Sequence, residues 1–211
     1  MKKRLLLAAV GMILCLTASS FSQLSKQLGV TAGMSMYSAT QKEGSSTTNF
    51  DSKTSIVAGA VFDISLLNIV SIEPGLVYST RNSSYRMITT PFHSSRTIEN
   101  DFAYLAVPIH AKVRWPGMPV FKPYVLAGVN VGFLLSASSP GADTTDIKSQ
   151  CNNLDFGFDF GGGLEFDLPF IVPYIEYVYD LGMSNIIKNL TSNESFKLNG
   201  SEIKAGIRFK L

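Results

Sequence analysis

Ile203-Lys204-Ala205-Gly206-Ile207-Arg208-Phe209-Lys210-Leu211 alternates without a break, apolar at the odd numbers and charged or glycine at the even ones. Successive side chains of a strand point to opposite faces, so this stretch reads as a strand with one apolar face and one polar face. The same period of two recurs upstream. Strands are expected at about 27–38, 54–65, 70–81, 100–115, 121–137, 153–167, 171–182 and 201–211. The connections alternate in length, long at 39–53, 82–99, 138–152 and 183–200 and short at 66–69, 116–120 and 168–170.

An even number of alternating strands with tight turns on one side and long loops on the other describes an all-β fold, an eight-stranded antiparallel up-and-down transmembrane β-barrel. After residue 22 there is no apolar run of 18 residues, although 45% of the chain is hydrophobic, so the apolar residues are dispersed. Hydrocarbon forces every backbone polar group to pair within the protein, and without a spanning helix only a closed sheet does so. The short connections carry turn chemistry, Pro116-Gly117-Met118-Pro119 above all. The long ones are rich in Ser, Thr, Asn and Gly, as in Gly44-Ser45-Ser46-Thr47-Thr48-Asn49, and are expected to be mobile.

Lys2, Lys3 and Arg4 precede an apolar run from Leu5 to about Thr17 and then the small residues Ala18, Ser19, Ser20 and Ser22. This is the pattern of a cleaved secretory signal, and the run is too short for a spanning helix of roughly 20 residues. The chain divides accordingly into a signal peptide at 1–22 and a barrel domain at 23–211 destined for the cell outer membrane. Leu14 precedes Cys15 where a lipidation motif wants Gly, Ala or Ser. Removing the signal takes the basic residues from 18 to 15 against 16 acidic ones, so no basic excess points to nucleic acid. Cys151 alone remains, which excludes an internal disulfide and a cysteine-rich metal site; it reads as incidental, or as a tether for a partner.

Alternation assigns the faces. Leu154, Phe156, Phe158, Phe160, Leu164 and Phe166 share the outer side of the sixth strand; Leu105, Val107, Ile109, Ala111 and Val113 that of the fourth; Val125, Val129, Val131, Phe133 and Leu135 that of the fifth; Ile175, Tyr177 and Tyr179 that of the seventh. Trp115, Phe62, Phe166 and Phe209 fall near the short turns, where an aromatic girdle sits. Pro74, Pro108 and Pro173 interrupt strands, and each is expected to bring a bulge or a lost ladder bond with a slip of the faces beyond it.

Six stretches together resemble the PorT-like outer-membrane β-barrel family of Gram-negative bacteria: Gly29–Met34, Glu73–Ser79, Tyr104–Pro108, Lys122–Gly128, Asp155-Phe156-Gly157 through Glu165-Phe166, and Leu181–Ile186. The resemblance spans the mature chain and implies a shared scaffold with no catalytic motif. A few members of that family look like accessory parts of a protein-secretion machine. The chain departs from many outer-membrane barrels in ending on Leu211 rather than Phe.

The inward set holds Glu73, His110, Lys112, Arg114, Asp155, Asp159, Glu165, Asp167, Glu176, Asp180, Glu202, Lys204 and Arg208. An eight-stranded barrel is only wide enough for side chains to fill it, and buried charges persist when paired, so these residues read as a salt-bridged plug. The rival reading is a proton or ion path, or a carboxylate site for a divalent cation. Asp155-Phe156-Gly157 spells a kinase magnesium triplet without the other kinase motifs, and no helix follows Gly161-Gly162-Gly163 to hold a phosphate. Those glycines read instead as curvature or as room for a bulky lumen neighbour.

Two other classes compete. A rim enzyme would draw on His93 with Ser94, Ser95 and Asp101, against the simpler reading of a polar surface loop. A soluble lipocalin-like carrier would need the opposite polarity, apolar inside and polar outside. The expected protein is an integral outer-membrane barrel with a structural or surface-interaction role, no catalytic activity and no cofactor. Its expected partners are outer-membrane lipid, the barrel-assembly machinery and an unidentified protein or surface ligand at the extracellular loops, where Tyr85, Arg86, Met87 and Phe92 offer an aromatic element or simply pack on the rim. The alternative is a narrow porin-like channel for small solutes or ions, or a secretion accessory.

Overall fold

The computed structural model describes residues 25–43, 46–49, 51–67, 69–89, 94–117, 120–139, 145–188 and 194–211. Residues 1–22, Phe92 and His93 lie outside them. The alternating stretches form eight long strands: β1 (Lys26–Glu43), β2 (Asp51–Ser65), β3 (Val70–Thr89), β4 (Ser94–Arg114), β5 (Phe121–Ser139), β6 (Leu154–Phe166), β7 (Ile171–Gly182) and β8 (Glu194–Lys210). Each pairs antiparallel with the next. β8 then pairs with β1 from Gln27↔Lys210 to Glu43↔Glu194, which closes the eight long strands into a barrel.

At the short-turn side the strands begin and end near the expected positions. At the other side they run on, and much of what composition marked as loop is strand. β3 and β4 stay paired to Thr89↔Ser94, and β8 starts at Glu194. Ser46–Asn49 adds a short strand against the end of β1, and Thr145–Asp146 another against β5. The reason is that a ladder satisfies the backbone whatever the side chains are, so Ser- and Thr-rich sequence beyond the membrane continues the sheet. A crossing strand needs only about 9–11 residues. β3 and β4 have 20 and 21, whereas β6 and β7 have 13 and 12, so the rim is high on one side and low on the other. Over the low side the chain folds back through a single 3-10 turn at Lys148–Gln150 and a bridge between Cys151 and Ile187.

The prolines do not shift the register. Pro173↔Ile207 sits in a continuous ladder, whereas two pairs drop out beside Pro74, between Val61↔Gly75 and Ile64↔Ile72, and two beside Pro108, between Pro74↔Ile109 and Val77↔Ala106, so the expected lost ladder bonds are found there without a change of register. The shifts of register fall elsewhere, between Ser52 and Val57 on β2 and between Ala103 and Tyr104 on β4. The expected slip of the faces therefore does not occur, and the outward residues named above stay outward.

The polarity of the barrel is inverted relative to a soluble protein. Val30, Met34, Ile56, Leu76, Val125, Phe156, Phe158, Phe160, Ile175 and Ile203 are exposed on the outer wall. Trp115, Phe166 and Phe209 are exposed near the short turns, with Phe62 half-buried beside them. Inside, charged residues are buried, which overturns the lipocalin-like alternative.

Candidate functional site

The interior is a stack of ion pairs, and it contains twelve of the thirteen inward residues expected from the sequence, Asp167 lying at the rim. At the short-turn mouth Asp63 of β2 accepts from Arg114 Nη2 at 2.8 Å, Arg208 Nη1 at 3.0 Å and Ser71 Oγ at 2.8 Å. Glu165 Oε2 takes Arg208 Nη2 at 2.6 Å and its Oε1 takes Arg114. The guanidinium of Arg208 lies 4.6 Å from the centre of the Tyr174 ring. A cavity of about 280 Å³ opens at this mouth, lined by Gln27, Arg114, Lys122, Glu165, Asp167 and Lys210 among others.

One level deeper, Lys112 Nζ bridges Glu73 Oε1 at 2.7 Å and Glu176 Oε2 at 3.1 Å. Tyr124 Oη donates to the same Glu176 oxygen at 2.8 Å. Lys204 joins Glu176 at 3.4 Å to Glu202 at 3.0 Å. The Tyr124 ring lies over Gly163, where a Cβ would stand 2.6 Å from the phenol oxygen; at this position the expectation of room for a bulky lumen neighbour describes what is found.

Towards the long-connection side, His110 Nε2 pairs with Asp159 Oδ2 at 2.8 Å. Arg81 reaches Asp155 at 2.6 Å and Asp180 at 3.2 Å while its guanidinium sits between the rings of Tyr37 and Tyr104, 4.6 and 4.7 Å from their centres. Above this level the lining turns apolar. Tyr37, Phe102, Tyr104, Leu134, Phe196 and Leu198 from the strands meet Cys151 and Ile186 from the fold-back and close the top of the network. Cys151 is 1% exposed, so as a tether it would first have to be uncovered. Burial, partly opposed by Lys188, pushes its thiol above the ordinary value.

At the mouth Asp167 lies just past β6, paired with Lys122 and Lys210. Burial pushes its carboxyl up, but the two ammonium groups outweigh that and hold it below the ordinary value.

The sequence reading missed several members of this network. Asp63 shares a face with Val57 and Val61 and so looked like the odd polar residue on an apolar side. Arg81 lies two-residue steps from Glu73 along β3, and counting the period past 79 finds it. Tyr37, Tyr104, Tyr124 and Tyr174 have no charge to draw notice, yet their hydroxyls and rings link the ion pairs. Tyr85, Arg86 and Met87 belong to β3, and the partner-binding element drawn from them loses Phe92 to the region outside the described residues. The rim-enzyme reading loses His93 in the same way; the other histidine, His110, faces a carboxylate deep in the barrel. Among the described residues no group of three or more His, Cys, Asp and Glu side chains is arranged to hold a metal ion.

The outer membrane protein beta-barrel domain family matches residues 21–188 of the chain. No curated protein matches it in sequence. Among solved structures the Neisserial surface protein A is similar at 14% identity with a TM-score of 0.51, over 87% of this chain and 97% of that one. OprG from Pseudomonas aeruginosa is similar at 14% identity and a TM-score of 0.50, over 90% and 98%. The outer membrane protease OmpT from Escherichia coli shares 7% identity with a TM-score of 0.52, over 89% and 97%. At such identities the likeness is one of fold alone.

Proposed function

The chain belongs to the outer membrane protein beta-barrel domain family and lies in the outer membrane, and from that premise we propose that it is a sealed barrel with a structural or surface-interaction role and without catalytic activity. The observation that carries this reading is Arg81, held between two tyrosine rings and two carboxylates directly beneath the apolar cap. A side chain fixed on four sides is a plug, and conduction would require breaking buried ion pairs at a cost of several kcal/mol. The protein then acts through what it displays beyond the membrane. The tall β3–β4 ladder and the fold-back over β6 and β7 form the surface available to a protein or other ligand on the cell exterior.

Within the family, the six stretches that resemble PorT-like barrels support that narrower placement. The charge pattern at the start of the chain supports export through a signal peptide, and insertion then calls for outer-membrane lipid and the barrel-assembly machinery. No role for nucleic acid is proposed.

Single-channel conductance of the refolded mature protein in a planar bilayer tests the reading. A silent membrane containing folded barrel is the expected result. Stable conductance altered by changing Glu176 and Asp180 together to Ala would instead make the lumen a pathway for small solutes or ions.

A further inference from the structure

Asp159 on β6 and Asp180 on β7 are direct partners in the strand register, and both are buried inside the barrel at 3% and 2% exposure. Opposed side chains on neighbouring strands stand about 5 Å apart at Cβ, so two carboxylates there repel one another. Each keeps Oδ1 buried and without a hydrogen-bond partner.

Fixed positive charge is scarce around the pair. One guanidinium, that of Arg81, serves both Asp155 and Asp180. Asp159 has His110, which is a cation only when both ring nitrogens carry hydrogen. In the direct ion pairs described, Asp155, Asp159 and Asp180 thus share one permanent cation and one conditional one, with Lys204 held next to them by Glu176 and Glu202.

Counting hydrogens leads to the same shortfall. Tyr37 Oη lies 3.0 Å from Asp180 Oδ2 and 3.0 Å from Glu202 Oε1. A phenol donates one hydrogen, so it serves one of these oxygens and can only accept from the other. Glu202, paired with Lys204 at 3.0 Å, is the anion that takes the phenol hydrogen, and the contact with Asp180 then needs a hydrogen from Asp180. The pocket is also shaped for this carboxyl: a Cβ on Gly157 would collide with Asp180 Oδ1, so the side chain lies across bare backbone.

We propose that Asp159 and Asp180 are a carboxyl–carboxylate pair that binds one proton inside the barrel. The groups around the pair are Tyr37 from β1, Lys53 from β2 opposite Tyr37 in the register, Arg81 from β3, Tyr104 and His110 from β4, Asn130 from β5, Asp155 from β6, and Glu202 and Lys204 from β8. Lys204 is engaged by Glu176 and Glu202, and Asn130 Nδ2 donates to Asp180 Oδ2 at 3.4 Å. The bound proton sits on Asp180, which donates it to Tyr37 Oη, and it leaves a single negative charge on the two opposed carboxyls, so the like-charge repulsion between β6 and β7 is removed. Its loss as pH rises leaves two buried anions side by side on the two shortest walls of the barrel.

Infrared spectra of the refolded full barrel in lipid vesicles test the pair, and they report on it whether or not the barrel conducts. The expected result is a carboxylic-acid C=O band at neutral pH that shifts when aspartate is carbon-13 labelled and is lost in both Asp159→Asn and Asp180→Asn. In the unsubstituted protein the band disappears at alkaline pH together with a fall in the urea midpoint. Absence of the band at neutral pH, or its survival in both variants, overturns the proposal. So does a missing band accompanied by a midpoint that rises with added calcium or zinc, which would put a metal ion between the two carboxylates. Should the variants not fold, the labelled unsubstituted protein decides alone.

Discussion

Arg208 on the closing strand and Glu165 on β6 meet across the mouth of the barrel, Nη2 to Oε2 at 2.6 Å, with both side chains buried. The two strands flank β7 and are not hydrogen-bonded to each other, so this contact ties the wall together across β7 through the lumen. Arg208 also reaches Asp63 at 3.0 Å and Glu73 at 3.4 Å, and one guanidinium therefore holds three carboxylates from three strands.

Arg208→Ala leaves those carboxylates buried with one cation fewer, and a broken buried pair costs about 3–5 kcal/mol. The unfolding midpoint in urea, measured in lipid vesicles, is expected to fall accordingly. Glu165→Gln in the same background restores part of the loss, because it removes one of the stranded charges; a double-mutant cycle reads the coupling directly.

Arg81→Lys keeps the charge and loses the planar group between Tyr37 and Tyr104. A point charge does not stack on two rings while reaching Asp155 and Asp180, so a loss of about 1–3 kcal/mol is expected from the same unfolding measurement. An unchanged midpoint would mean that the rings contribute only apolar packing.

Asp167 gives a pH dependence at the mouth. Its carboxyl is held below the ordinary value of 3.8, so its ionised form stabilises the folded barrel. That contribution is complete above the unfolded value and fades as pH falls below it through the folded one. Asp167→Asn should therefore lower the midpoint at neutral pH, by an amount that shrinks steadily as the pH falls below 3.8. The side chain is 23% exposed, so the gap is expected to stay under about 1 kcal/mol and to narrow with added salt.

Cys151 is sealed under the fold-back, and burial holds its thiol in the protonated, unreactive form. Alkylation by a small maleimide is expected to be at least about tenfold slower in the folded barrel than in urea. Ile186→Ala, which opens the cap over it, should speed the reaction without unfolding the strands.

The period of two carried most of the fold, because a side chain on a strand has only two faces to choose from and hydrocarbon admits only one kind on the outer face. Phe156, Phe158 and Phe160 outside and Asp155 and Asp159 inside could be read directly. The strand ends on the long-connection side were not legible, since a polar residue in a ladder and a polar residue in a loop have the same composition.

By itself the sequence determined the class of fold, the count of long strands, the polarity of the wall and most of the charges turned inward, all of which follow from local alternation and the solvent outside. Only the tertiary structure decided which charge meets which. Arg208 finds Glu165, and Asp180 is left facing Asp159, because closure of the barrel and the stagger of its strands bring together residues far apart along the chain. A pattern of spacing two along one strand holds no information about the level at which another strand's residue arrives across the lumen.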